Sequence, residues 1–194
     1  MNMKGESVTP NLTQLKALTH PVRVRMLGML RIDGPATATS LATRLGLNTG
    51  ATSYHLRQLA QHGFITDDPE RGNARERWWK ATHSVTNIKK DSLPDDTEGR
   101  ETVDAALQSV VAYYTEMLQQ AMAERPLLPD EWREASTFSD HVARLTSKQA
   151  EAAMKRALEL INDVDDDPDG EAFVFQLQAF PMPGHVAVDP GDAQ

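Results

Sequence analysis

The stretch Thr49-Gly50-Ala51-Thr52-Ser53-Tyr54-His55-Leu56-Arg57-Gln58-Leu59 decides how the chain is read. Wound at 3.6 residues per turn, it sends Leu56 and Leu59, with Thr52 behind them, to one side. Gly50, Ser53, Tyr54 and Arg57 fall on the other at i, i+3, i+4 and i+7. Small residues at the start allow close entry into a major groove. Hydroxyls, a phenol and a guanidinium supply donors and acceptors for base edges and phosphates.

Working outward, residues 11–18 place Leu12, Leu15 and Leu18 at helical spacing, and Thr19-His20-Pro21 sets a proline where a second helix begins. Residues 22–31 make that helix, and Asp33-Gly34-Pro35 stops it. A third helix is predicted from Thr39 or Ser40 to Leu45, with Gly46-Leu47-Asn48 as a tight break before the fourth, residues 49–62. Phe64-Ile65-Thr66 and residues 75–82 read as two strands around the turn formers Asp68-Pro69-Glu70-Arg71-Gly72-Asn73. The hairpin groups Arg71, Asn73, Arg75 and Arg77 just after the fourth helix, where a wing reaches phosphates or the minor groove. Trp78 and Trp79 alternate faces, so one is expected to anchor the wing from beneath.

These motifs resemble the ArsR-type winged helix-turn-helix regulators, especially an actinobacterial-looking branch. The resemblance rests on Ala17-Leu18-Thr19-His20-Pro21-Val22-Arg23, on Leu41-Ala42 with Leu45-Gly46, on Ser53-Tyr54-His55-Leu56-Arg57-Gln58-Leu59, and on Gly72-Asn73-Ala74-Arg75-Glu76-Arg77-Trp78-Trp79. It implies a dimeric, usually repressing, DNA-binding regulator. By position it implies DNA contacts at Thr49, Gly50, Ser53, Tyr54 and Arg57, with Arg75 and Arg77 in the wing. The sequence departs from metal-sensing relatives: it has no cysteine, and residues 101–124 contain no histidine. No metal site and no cofactor are therefore assigned. His55 and His62 share a flank of the fourth helix but read as polar surface.

Composition fits this division of labour. The net charge of −8 splits into +5 over residues 1–85 and −13 over the remainder, so the first part is the candidate for double-stranded DNA and the second is expected to face away from it. No apolar run approaches the ~18 residues of a membrane span, and the missing cysteines fit a reducing compartment, so a cytoplasmic protein without a membrane partner is expected. There is no Gly-rich phosphate loop, serine elbow or His-Glu pairing at metal spacing, so no enzyme is read.

The expected fold class is α+β, mainly α with a small β wing: a winged helix-turn-helix over residues 12–85, a linker over 86–99, a dimerisation and possible effector region over 100–181, and a disordered tail over 182–194. Val103, Leu107, Val110, Tyr114, Met117 and Ala121 alternate steps of four and three, the heptad seam of a homodimer. Farther on, a short helix around Trp132, a strand over residues 137–145, a helix over 149–161 with the capping-box spacing Thr146 to Gln149, and a strand over 172–180 are expected. Two rival readings stay open. One is a small-molecule-responsive regulator with Tyr113, Tyr114, Trp132, Phe138 and Phe173 around a pocket, its effector unknown; the other is a non-specific architectural DNA binder.

Overall fold

In a computed structural model of the chain, residues 7–71, 76–88, 93–165, 167 and 169–186 are described. The chain divides into two compact units, Met1–Ala135 and Ser136–Gln194. The first unit opens with strand β1 (Ser7–Val8), helix α1 (Leu12–Leu15), a 3-10 turn (Lys16–Leu18) and helix α2 (Pro21–Ile32). Strand β2 (Ala36–Thr37), helices α3 (Ala38–Leu45) and α4 (Thr49–Gln61), and strands β3 (Ile65–Asp67), β4 (Trp78–Ala81) and β5 (Val85–Thr86) follow. Helices α5 (Thr97–Glu124) and α6 (Asp130–Ala135) complete it.

Local chemistry sets these boundaries. Pro21 stands at the first turn of α2, where its missing N–H costs nothing, and the His20 imidazole Nδ1 accepts from the Val22 N–H at 3.2 Å. Thr37 and Ser40 form a reciprocal capping box at the start of α3, each side chain 3.2 Å from the other's backbone N–H. Gly46 then adopts φ 65°, a left-handed conformation that strains any residue with a Cβ, and the chain turns sharply into α4. Asn48 Oδ1 caps α4 by accepting from the Ala51 N–H at 2.8 Å.

Two small sheets brace the helices. Strands run β2-β4-β3, all antiparallel, with Ala36 opposite Trp79 and Asp67 also opposite Trp79. β1 and β5 pair in parallel, Ser7 with Val85 and Val8 with Thr86. The hairpin β3-β4 is the expected wing. β1, β2 and β5 are additional: each is two residues long, too short to show alternation in sequence. The core gathers Leu15, Leu18, Met26, Leu27, Leu30, Leu41, Leu56, Leu59, Phe64, Ile65 and Trp79.

Helix α5 begins at Thr97, inside the segment read as a linker, and packs on α1 and α2. Its inward stripe is made of small residues, Gly99, Thr102, Ala106 and Ser109, which permits close approach. Gly28 of α2 meets it: a Cβ there would overlap the Tyr113 phenol. The seam read from spacing falls on both sides of this helix. Val103 and Val110 pack on the chain's own core, whereas Leu107, Val111, Leu118 and Met122 are exposed. Two apolar stripes lie one residue apart on this helix, and a four-three repeat drawn through both mixes them.

In the second unit, helix α7 (Ser147–Asn162) starts with the expected capping box: Gln149 N–H donates to Thr146 Oγ1, and Thr146 N–H to Gln149 Oε1 at 2.9 Å. The strands expected over 137–145 and 172–180 do not form; both stretches are irregular. Phe173 and Phe175 share a side as alternation requires, rings 5.2 Å apart, but a strand is stabilised by its ladder, and the described residues supply no partner. No described residue of this unit is buried. Within the reading of 182–194 as a tail, residues 187–194 lie outside the described ones. No helix among the described residues is long and apolar enough to cross a membrane.

Candidate nucleic-acid interface

Thr52, Leu56 and Leu59 are fully buried beneath α4, fixing its rotation about its own axis. The opposite face is then open: Thr49, Gly50, Tyr54 and Arg57 are exposed and Ser53 is partly so. Thr49, Ser53 and Arg57 line a cleft of about 260 Å³ together with Thr37, Ala38 and Thr39 at the start of α3 and Glu76, Arg77 and Trp79 of the wing. The structure thus brings three of the five residues singled out on α4 into one concave surface with Arg77. Tyr54 sits on a separate flank, its ring edge-on to His55 at 5.4 Å. Arg57 makes no ion pair with a described residue.

The wing cations are held differently. Arg77 donates from Nε and Nη2 to the two carboxylate oxygens of Asp67, Nη2 at 2.5 Å, and its guanidinium lies 4.1 Å from the centre of the Trp79 ring. The Asp67 hydrogen bonds raise the Arg77 pKa above its ordinary value. Asp68, almost fully buried, accepts from Lys80 Nζ at 3.1 Å and faces Arg71 Nε at 3.7 Å. Arg71 lies outside the cleft; Asn73 and Arg75, also singled out in the wing, lie outside the described residues. Trp79 is the buried anchor and Trp78 is half-exposed.

Sequence reasoning missed Thr37, Thr39 and Glu76. The first two had a signal, since the Thr37-to-Ser40 spacing is a capping box that starts α3 earlier than Thr39. Behind α4, the rings of His20 and His55 lie 4.5 Å apart. Among the described residues, no three His, Cys, Asp or Glu side chains come together as a metal site would need. Of the aromatics read as a possible pocket, Tyr113 and Tyr114 adjoin at 6.0 Å, while Phe138 and Phe173 belong to the second unit and are exposed.

Comparison with known proteins adds one domain. A family model described as a helix-turn-helix domain matches residues 18–68. No curated protein matches the chain. Among solved structures, the transcriptional regulator Tm0710 from Thermotoga maritima is 13% identical, with 72% of this chain and 79% of that one covered at a TM-score of 0.32. Apo MarR from E. coli is 15% identical over 76% and 87%, at a TM-score of 0.31. At such scores whole-chain likeness adds nothing to the local match. The chain carries a helix-turn-helix domain over residues 18–68, to which the hairpin β3-β4 adds a wing.

Proposed function

We propose that the chain is a sequence-specific DNA-binding regulator of transcription, a repressor of the ArsR type that binds an inverted repeat as a homodimer. One observation carries this: α4, the start of α3 and the wing converge on a single cleft that holds Thr49, Ser53, Arg57 and Arg77. A helix with small residues at its start, buried on one side and polar on the other, presents donors to base edges in a major groove. Arg57, exposed and without an ion pair among the described residues, is the residue to contact a guanine edge or a phosphate.

The dimer is placed on α5. Residues 105–123 hold a single charged side chain, Glu116, and Arg25 of the same chain binds it at 2.7 Å. The exposed face carries Leu107, Val111, Leu118 and Met122 instead of the charges a solvated helix displays. A second copy laid against this stripe makes the homodimer, whose two reading helices would enter successive major grooves about 34 Å apart, as dimers of helix-turn-helix domains do. Polymerase would be blocked by occupancy alone.

The test is selection of bound sequences from a random duplex pool, followed by titration of the winner against scrambled DNA at fixed salt. An inverted repeat bound at least ~10³-fold more tightly than scrambled DNA supports the reading. Binding that is steep in salt but blind to sequence would make the chain an architectural binder, and no binding at all would overturn it.

A further inference from the structure

The wing carries an arginine already paired with a carboxylate. Asp67, the last residue of β3, stands opposite Trp79 in the ladder, and its carboxylate reaches the diagonal Arg77, whose guanidinium rests on the Trp79 ring. Trp79 is buried and so gives the guanidinium a fixed floor. Nε and Nη2 are committed to the carboxylate, leaving Nη1 with two N–H donors uncommitted among the described residues. Arg77 nevertheless lines the same cleft as Arg57 and Ser53.

A free arginine attracts any phosphate, and each cation that neutralises one adds to sequence-independent affinity. An arginine clamped by a carboxylate contributes little net charge but presents a donor edge in one fixed direction. We propose that Asp67 is a positioning residue that sets DNA specificity: by clamping Arg77 on Trp79 it withdraws one charge from random binding and aims Nη1 at one kind of acceptor on the chosen duplex. This rests on the reading of the cleft as the DNA-binding surface. Asp67 itself touches no DNA in this scheme.

The experiment is Asp67→Asn in the full chain, measured on the selected repeat and on scrambled duplex across a salt series. Random binding should tighten by about three- to tenfold and the log–log salt slope should steepen by about 0.9, the value of one added cation. The ratio of specific to random affinity should fall by the same factor or more. In an Arg77→Ala background, where Asp67→Asn only removes a bare carboxylate that repels specific and random duplex alike, the ratio should not change, which a merely structural role for Asp67 would not predict. Should the asparagine variant melt early, Asp67→Ser repeats the test without the charge. Unchanged slope and ratio, or the same fall in the ratio without Arg77, would overturn the role of Asp67 while leaving a sequence-specific wild-type protein intact. A wild-type chain that binds no duplex would overturn both.

Discussion

The imidazoles of His20 and His55 face each other with ring centres 4.5 Å apart, joining the cap of α2 to the back of α4. His20 Nδ1 must be unprotonated to accept from Val22, and His55 Nδ1 is buried with no hydrogen-bond partner among the described residues. Burial lowers the pKa of His20, and next Arg23 does; His55 is lowered by burial, then by His20 and Arg23, and His62 by burial and then Arg23.

A depressed histidine pKa means that the unfolded chain binds more protons than the folded one between the two values, so stability rises with pH there. The fold should be fully stable above an ordinary histidine pKa of about 6.5 and lose stability as pH falls from there toward the lowered values. Thermal melts across this range should show the loss. Replacing His20 with Asn, which keeps a capping oxygen, together with His55→Gln should flatten the curve; a double variant as acid-sensitive as the wild type would refute the role of the pair.

Gly28 and Tyr113 set how closely α5 approaches α2. Gly28→Ala improves helix propensity, yet its methyl would overlap the phenol, so a loss of about 1–3 kcal/mol in denaturant unfolding is expected. Tyr113→Ala opens space for the methyl, and the double variant should be less destabilised than the two single losses combined. Additive losses would show that the two residues do not share this contact.

The segment around α4 was legible because its signals are local. Periodicity gave its buried face, Asn48 and Gly46 its boundaries, and turn formers the wing. The cleft was only half legible. Thr39 enters it because β2 pairs with β4, a contact between residues some forty positions apart that leaves no period in sequence. The pairing of Asp67 with Arg77 was hidden for the same reason, since it depends on hairpin register. On α5 the composition was readable but not the partition of apolar residues between the chain's own core and the outside. Beyond residue 136 alternation suggested strands, but a strand exists only where another chain segment completes its hydrogen bonds.

That partition can be tested with neighbours. Val110 packs on the core, whereas Val111 is 58% exposed. Val110→Glu should destabilise folding, by about 2–5 kcal/mol for a charge forced into apolar surroundings. Val111→Glu with Leu118→Glu should leave the melting curve of each protomer nearly unchanged yet yield monomers in sedimentation and weak binding to the repeat. If the pair stays dimeric, α5 is not the interface.

Arg57 and Arg71 separate reading from scaffolding. Arg57 has no ionic partner among the described residues and lines the cleft; Arg71 lies outside it and faces Asp68. Arg57→Ala should cost about 1–3 kcal/mol on the selected repeat if it contacts a base edge, relaxing sequence preference at one position in each half-site. Arg71→Ala should leave that preference intact, because Lys80 still satisfies the buried Asp68 carboxylate. Competition binding with single-base variants of the repeat distinguishes the two: a uniform loss across all bases for Arg57→Ala would reassign it to a phosphate, and no loss would mean that another face of α4 meets the DNA.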